Sequence, residues 1–466
     1  MKDYYQITAA GFAFMSILEC NIHKGVGEHG RASLTGQIQE TDVEKYMQYG
    51  SGYTWSSIDI TDESGTKTAF AGILTDIGVE MQDGVAILSI ELTGGTCILD
   101  YKPKTRTFQT SMTDLKTIVN ELMGDYEKTL PVFNTAGGTD EGELLVQYME
   151  TDYAFIKRVA SHFAAPVITQ YDEPGIKYHI GLGSTGDTAS VETKLYTMKK
   201  AVDEYIYKKY HEIEQCAVKD VMEYHFESRE SYELGSEVHF NGNALFVYQV
   251  DSTLNGAELR HRYVLRGKSG FQVEKYYNYN LTGASLIGKV EEIEKDKVKI
   301  SCEADGYQLR APKKFLFSTV YSTADGTGWY CMPEKEDRIR LFFPTEQEAD
   351  AYVISAVHLE TGSSERKDPD KKSIMNKYKK QIEFSKDKIM ITNNDGLLIE
   401  LDDKEGILIQ SNKDITMEAK KDFQISSKDT KIEVTAPKGI KLEQGGTKID
   451  INQEVKIKGT GVRIQP

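Results

Sequence analysis

No apolar run in this chain approaches the length of a bilayer span. The longest are short, such as Ala69–Leu74, where about 20 consecutive apolar residues are needed. The first residues, MKDYYQITAAGFAF, lack the charged start, apolar centre and small-residue cleavage site of a secretory leader. Assembly in the cytoplasm is therefore expected, with any release bypassing the general secretory route. Cysteine is sparse and unpatterned. Cys20, Cys97, Cys216, Cys302 and Cys331 are odd in number, scattered, and without a CxxC, which fits reduced buried thiols better than a disulfide framework. Excess positive charge is missing as well. A formal charge of −16 argues against nucleic acid as a partner, because phosphate binding needs a basic face. The nine histidines form no HxH or HExxH, no GxSxG occurs, and no cysteine stands in a nucleophile signature with a histidine. Metal, cofactor and nucleophile signatures are thus all wanting.

What is present is a long chain of mixed charge. At 466 residues it exceeds one ordinary core, so about two to four domains are expected. Apolar residues at 39% and charged ones at 27% describe a folded chain, not a disordered one. The charge is unevenly spread. Residues 371–466 carry 19 Lys/Arg and 15 Asp/Glu, or +4, leaving 37 against 57, or −20, for the first 370.

Residues 1–100 alternate as strands do, in MKDYYQITAAG, SIDITDES, TAFAGILTDIGVEMQDGVAILSIELTGG and CILDYKP, with Gly and Asp turns between them. Thr113 stands where a cap would start a helix over DLKTIVNELM. That helix would put Leu115, Ile118, Val119, Leu122 and Met123 on one face and end at Gly124. After the turn TAGGTDEG, the strand-like LLVQYME gives way at Thr151 to a helix carrying Phe155, Val159 and Phe163 on one face. IKYHIGLG reads as a short strand. Residues 189–226 hold a long charged helical stretch around KKAVDEYIYKKYHEIEQC, and strands resume at EVHFNGNALFVYQVDS and HRYVLRG. From Leu286, LIGKVEEI, KVKISCEA, FLFSTVYS, DRIRLFF and AYVISAV are short β runs within about 75 residues, the size of a small barrel. The polar, breaker-rich TGSSERKDPDKKS (361–373) reads as a linker.

After that linker the text becomes periodic. Apolar pairs at i, i+2 run Ile389/Ile391, Ile399/Leu401, Ile407/Ile409, Ile415/Met417, Phe423/Ile425, Ile432/Val434, Ile440/Leu442, Ile449/Ile451, Val455/Ile457 and Val462/Ile464. A step near eight residues marks a solenoid-like array, and the i, i+2 spacing marks strands. Pro437, in the turn TAPKG, is the only interior proline. Two buried aliphatics per rung contribute about 4–5 kcal/mol, whereas ordering eight residues costs on the order of 10 kcal/mol. One chain cannot close that gap. Three copies around a common axis, each supplying a wall, would bring six aliphatics to every layer and pair the strand edges. The plainer alternative is a β-meander with one apolar face.

Specific segments also match a known family. LLVQYMETDYAFIKRVASHFAAPVI (144–168) resembles the Q-Y-x-E-[ST]-D-x-x-F-x-x-R segment of VgrG-like spike proteins at Gln147, Tyr148, Glu150, Thr151, Asp152, Phe155 and Arg158. That family serves contractile injection systems: type VI secretion, phage-tail-like bacteriocins and myophage tails. SYELGSEVHFNGNALFVYQVDSTLNGAELRHRYVLRG is similar to the second hub barrel of these proteins. SLIGKVEEIEKDKVKISCEADG and then TGWYCMPEKEDRIRLFFP resemble their oligomer-binding-type barrel, at Gly328, Trp329, Tyr330, Met332, Pro333, Glu334, Asp337 and Ile339. The octads resemble their triple-stranded β-helix needle. All segments occur in family order across nearly the whole chain.

The resemblance implies a mainly β fold with some α. Residues 1–285 would form a hub of two related barrels with inserted helices, 286–360 a small oligomer-binding-type barrel, 361–377 a linker and 378–466 an intertwined homotrimeric needle. It implies a non-enzymatic spike whose ring of two barrels per subunit joins a sixfold tube and baseplate above to a threefold needle below. Transient contact with a target membrane and no cofactor or metal follow from the same likeness. The needle core would be Ile399, Leu401, Ile407, Ile409, Ile415, Met417, Phe423, Ile425, Ile432, Val434, Ile440, Leu442, Ile449, Ile451, Val455, Ile457, Val462 and Ile464. Some spikes carry a lysozyme insert or an iron-binding HxH at the apex. Here only the short linker stands in the insert's place, and the last histidine is His358. The blunt ending at Val462, Arg463, Ile464, Gln465 and Pro466 suggests a separate PAAR-type tip protein.

Two rival functions stay open: a cell-wall-degrading spike enzyme and a β-helical tailspike reading glycans. Against the second, Tyr378, Phe384 and Phe423 are the only aromatics from 378 onward. The formal GxGxxG at Gly181, Gly183 and Gly186 is followed by polar TASVET rather than a helix, so a turn is the better reading. Glu150 with Asp152 could pass for an acid pair, but their place at a helix start favours capping and subunit contacts.

Overall fold

A computed structural model describes residues 6–451 apart from 51, 64, 110–113, 136–143, 184–187, 212, 214–216, 257, 309–312 and 357–365. It divides into two compact units, Met1–Leu359 and Glu360–Pro466. Val455, Ile457 and the stretch Val462–Pro466, with Thr113, Gly186, Cys216, His358 and the TAGGTDEG turn, lie outside the described residues.

The first unit is built on one twelve-stranded sheet. Its path runs Gln6–Ala9, Trp55–Asp62, Gly65–Gln82, Val85–Thr93, Arg31–Ile38, Ser16–Gly25, Asn243–Asn255, Glu258–Arg266, Met222–Ser228 and Tyr196–Lys200, with Ala189–Val191 and Glu237–Phe240 branching off Asn243–Asn255. Two closed barrels were expected here, and among the described residues neither half closes. The reason is a seam. Ser16–Gly25 pairs with Asn243–Asn255 in antiparallel register, Asn21 opposite Thr253 through Gly25 opposite Gln249. The edges that would close each half instead join the halves.

Alternation decides what each face of this sheet meets. Ile77, Ile90, Leu34 and Cys20 are successive cross-strand partners on the core face, and Val250, Tyr263, Phe226 and Tyr196 continue it beyond the seam. The opposite face carries Asp76, Glu91, Ser33, Asn21 and Thr253 in one row. That row is polar, with two acids and no apolar side chain.

Three expectations fail locally. CILDYKP is not a strand: Gly95–Asp100 is a 3-10 helix with Cys97, Ile98 and Leu99 all buried. Three consecutive buried residues cannot come from a strand that alternates its sides. A Cβ on Gly95 would sit 2.1 Å from the Gly175 carbonyl oxygen, so only glycine permits this approach. The helix at 115 is capped by Asp114, whose carboxylate accepts from the Thr117 backbone N–H at 2.8 Å, not by Thr113. Among the described residues the charged stretch at 189–226 is α-helical only over Val202–Tyr210, with a 3-10 turn at Val218–Val221, between strands Tyr196–Lys200 and Met222–Ser228.

A second core lies under the helices Leu115–Met123 and Asp152–Ser161, where Phe108 stacks on Phe155 at 5.3 Å between centroids. Beyond it a five-stranded sheet runs Lys314–Leu316, Lys297–Cys302, Ser285–Glu294, Arg338–Phe342 and Tyr352–Ala356. A single parallel bridge, Phe317 with Val353, brings its two edges together.

The second unit is a five-stranded antiparallel meander, Lys372–Met375, Gln381–Phe384, Lys388–Thr392, Leu397–Asp402 and Gly406–Ser411, followed later by a hairpin of Ile440–Gln444 with Thr447–Ile451. Its first strand falls inside the segment read as linker. Residues 412–439, which hold Ile415/Met417, Phe423/Ile425 and Ile432/Val434, contain no strand. An isolated rung has nothing to pair with, and its two aliphatics do not offset the ordering cost.

The seam carries a buried titratable group. His261, opposite Ser252 and bonded to its hydroxyl at 2.7 Å, is 5% exposed. Burial first, then Lys24 and Lys67, lower its pKa from 6.5 to about 4. The unfolded chain therefore takes this proton near pH 6.5 and the folded one only near pH 4. Stability is complete above 6.5 and falls as pH drops toward 4, by up to about 3 kcal/mol. Urea unfolding at pH 7 and pH 4 should show that loss, and His261→Gln should flatten this part of the profile.

Candidate functional site

Strand Leu145–Glu150 and helix Asp152–Ser161 carry the Gln147–Arg158 motif where two cores meet. Leu145 packs in the helix-bearing core, while Val146 next to it packs with Leu286, Val290 and Val353 of the five-stranded sheet. One strand thus serves both cores through its alternation.

Asp152 is completely buried, and its carboxylate accepts from Lys104 Nζ at 2.7 Å, Arg106 Nη2 at 2.9 Å, Gln147 Nε2 at 2.7 Å and Tyr126 Oη at 2.5 Å. Asp125 balances the second cation, 3.0 Å from Lys104 and 3.1 Å from Arg106. Burial and then the Asp152 bond push the Tyr126 hydroxyl up to about 12. The helix start itself is capped by Thr151, whose hydroxyl accepts from the Ala154 N–H at 3.2 Å. Glu150 and Asp152 therefore make ion pairs instead of capping the helix.

Arg158, 3% exposed, grips both parts of the unit. Its guanidinium donates to both Glu150 oxygens at 3.2 Å, to the Val146 carbonyl at 2.8 Å and, through Nη1, to Glu348 Oε1 at 2.9 Å. It also lies 5.1 Å over the Phe155 ring. Burial opposes its charge, but Glu150 and Glu348 outweigh this and its pKa is raised; burial likewise raises that of Glu150. Glu348 belongs to the five-stranded part, in the short turn Glu348–Asp350. Two further ties cross the same junction. Asp305 accepts from the Thr107 N–H at 2.8 Å and from its hydroxyl, and Asn278 donates to the Tyr148 carbonyl at 2.8 Å. Tyr148 is half-buried against the second core.

The residues around Gly328 build a hairpin on the five-stranded part. Gly328 has φ of 135°, and a Cβ there would lie 2.4 Å from the Tyr321 carbonyl oxygen. Trp329 N–H donates to that carbonyl at 2.8 Å, and Tyr330 Oη reaches the Lys295 carbonyl at 2.9 Å. Pro333 and Ile339 are buried and Met332 packs on the core. Asp337 accepts from the Glu334 N–H at 2.8 Å, fixing the turn that follows. Trp329, Tyr330, Val320 and Tyr321 remain exposed.

In the second unit the octads fall into cross-strand columns. Ile382, Ile391, Ile399 and Ile409 are successive partners in one, and Phe384, Ile389, Leu401 and Ile407 in the other. Leu442 with Ile449, and Ile440 with Ile451, repeat the pattern in the hairpin. Both columns share a face, and that face is open: Ile407 is 73% exposed and Ile409 50%. On the other face Gln381 and Glu383 are each 8% exposed. Ile415, Met417, Phe423, Ile425, Ile432 and Val434 are exposed as well.

Asp100 and His29 line a cleft of about 750 Å³ and form a chain with Thr96 behind it, His29 Nε2 3.1 Å from Asp100 and Nδ1 2.9 Å from the Thr96 hydroxyl. Thr96 is fully buried and also bonded to Thr169 at 3.2 Å. No substrate reaches that hydroxyl, so the chain ties loops together. Among the described residues no cluster of three His, Cys, Asp or Glu could hold a metal. Gly181 turns with φ of 84° after strand Ile176–Ile180, and among the described residues the next element is the strand Ala189–Val191, not a dinucleotide-binding helix.

By sequence the chain matches no family model and no curated protein. Its fold does have solved counterparts. The Escherichia coli c3393 protein, a type VI secretion component described as similar to the phage T4 tail proteins gp27 and gp5, superposes over 75% of this chain and 99% of its own, with a TM-score of 0.54 at 11% identity. The Francisella PdpA–VgrG complex gives 0.55 in its lidded form, over 85% of this chain and 76% of that one, and 0.54 half-lidded, over 88% of each, both at 10% identity. The chain has the VgrG fold. At such low identity that fold is carried by alternation and register, and few of the individual side chains need be shared. The junction at Arg158 and Glu348 is where this VgrG-like chain ties its first two parts into one body.

Sequence reasoning found Gln147, Glu150, Asp152 and Arg158 but not their partners. Lys104 and Arg106 were legible as alternating cations on KTRTF, whereas nothing in EQEAD singled out Glu348. Removing one member of a buried pair leaves an uncompensated charge, so Arg158→Met should cost about 3–5 kcal/mol. The Arg158→Met/Glu348→Met double variant should cost clearly less than the sum of the singles in urea unfolding. Strict additivity would mean the pair is no link.

Proposed function

We propose that this chain is the central spike of a contractile injection system, a structural protein that trimerises, caps the sixfold tube with its hub and drives a threefold needle through the target envelope. The observation that carries the proposal is the pair of aliphatic columns in the second unit, in register over successive strands yet open on their own chain. Burying two columns on each of three chains around one axis supplies the interior that a single chain lacks. The VgrG fold of the chain supports the same reading, because its solved counterparts include secretion and tail proteins.

The finer points belong to the proposal too. The hub ring of two related lobes per copy would face the inner tube and baseplate, and Val462–Pro466 would seat a PAAR-like tip protein. Assembly would occur in the cytoplasm, with release through the particle itself. The acidic first 370 residues, at −20, support protein partners over nucleic acid.

One pair of substitutions separates an axial core from a solvated face. Ile415→Asp should place three carboxylates together in one layer and abolish the trimer of the full chain, because unpaired buried charge is costly. Lys413→Asp should leave it intact. Sedimentation velocity reads both, and equal behaviour of the two variants would overturn the needle.

A further inference from the structure

The cleft lined by His29 and Asp100 takes its walls from four places in the first unit. One is the turn between strands Ser16–Gly25 and Arg31–Ile38, and a second is the end of the 3-10 helix Gly95–Asp100. The third is helix Asp152–Ser161. It presents Tyr153, Ala154, Lys157 and Arg158, whose spacing puts them on one face. Tyr276 and Tyr277 make the fourth wall, and they are fastened in place. The Tyr276 N–H donates to the Ser161 hydroxyl at 2.8 Å, its carbonyl meets His162 Nε2 at 3.1 Å, and the Tyr277 ring lies 6.2 Å from that imidazole.

Charge inside the cleft is unevenly matched. Each of its three acids already has a partner: Glu28 Oε2 lies 2.9 Å from His23 Nε2, Asp100 3.1 Å from His29, and Glu150 3.2 Å from Arg158. His23 is also held by Asp251 at 2.6 Å; burial works against its proton, but Asp251 and Glu28 outweigh burial and its pKa is raised. Two cations are left over. Lys157 Nζ donates to the Gly27 carbonyl at 3.0 Å and lies 5.4 Å over the Tyr153 ring, yet among the described residues it meets no carboxylate. The exposed Arg31 guanidinium meets none among them either. Both stand near enough to act on His29. Burial lowers the His29 pKa first, Asp100 opposes this, and Lys157 and Arg31 lower it again. In a stretch that carries −20 over 370 residues, these two unanswered cations are a local attraction for an anion.

We propose that this cleft binds an acidic peptide segment of a protein partner, one carboxylate side chain lying between Arg31 and Lys157 and a neighbouring aromatic side chain resting over Ala154 against Tyr276 and Tyr277. Ala154 is the small, exposed residue of the helix face, and it leaves open a floor that a larger side chain would fill. A single carboxylate suits the site better than a phosphate, whose two charges would face Glu28, Asp100 and Glu150. The same acids repel nucleic acid. A guanidinium and an ammonium on one carboxylate give charge-assisted hydrogen bonds, and the two tyrosines add apolar area at little cost in side-chain freedom. This recognition is separate from trimer assembly and from the needle.

Titration calorimetry of the full chain tests this with an acetylated, amidated hexapeptide alternating glutamate and phenylalanine, its glutamine counterpart, and inorganic phosphate. The glutamate peptide should bind saturably at one site per chain, the glutamine peptide at least tenfold more weakly, and phosphate should not displace either. Arg31→Gln alters an exposed side chain and should weaken the glutamate peptide about tenfold or more, while Arg31→Lys keeps most of the affinity. Ala154→Phe removes no charge and should block the peptide by filling the floor. Equal binding of the two peptides would mean an apolar groove, and displacement by phosphate a general anion site; either overturns the proposal. So would unchanged affinity in Arg31→Gln and Ala154→Phe, or no binding of the glutamate peptide at millimolar concentration. The trimer is read separately by sedimentation, so failure here leaves the spike standing.

Discussion

Everything in the second unit follows from one deficit: each rung of about eight residues brings two aliphatic side chains, too few to hold eight residues in place. A chain with that composition either stays loosely organised or borrows burial from elsewhere. The meander at 372–411 shows how the shortfall is arranged. Its strands pair well enough to align Ile382, Ile391, Ile399 and Ile409 in one column, but pairing alone covers neither column. Apolar surface outward and Gln381 and Glu383 inward is the reverse of a self-sufficient sheet, and it is what a wall awaiting other walls looks like.

The first unit solves a different problem, that of stiffness between parts. Two sheet halves distant in sequence fuse along Ser16–Gly25 and Asn243–Asn255, and the five-stranded part is fastened to the helix-bearing core by Arg158, Glu348, Thr107 and Asp305. Buried ion pairs add little net stability, since desolvation offsets much of their attraction. Their geometry is exacting, however, and a bidentate guanidinium held from three sides admits one relative placement of the parts. A spike of the kind proposed above, transmitting force along its length, would gain from such a constraint more than from a few extra kcal/mol of apolar burial.

Much of this was legible in the residues. The octad period announced strands and their shared face over 388–411 and 440–451, though not over 412–439, and the Gln147–Arg158 motif marked a place where polar groups would be concentrated. Helices at 115 and 152 followed from their apolar spacing, with the cap of the first displaced by one residue to Asp114. What failed was tertiary. CILDYKP reads as a strand, yet its first four residues belong to the 3-10 helix Gly95–Asp100, pressed against Gly175 through Gly95, a contact that no local pattern reports. Closed barrels could not be told from one fused sheet, since the seam joins residues some 230 positions apart. Glu348, buried against Arg158, reads in sequence as one more acid in a solvated run.

The account stands or falls on how many copies share the open columns. Sedimentation equilibrium of the full chain measures this directly, independent of shape. It should give a single species of three chains, each of 52.4 kDa, that persists on dilution. A monomer of that mass, with Ile407 and Ile409 still reactive to an apolar surface probe, would contradict it.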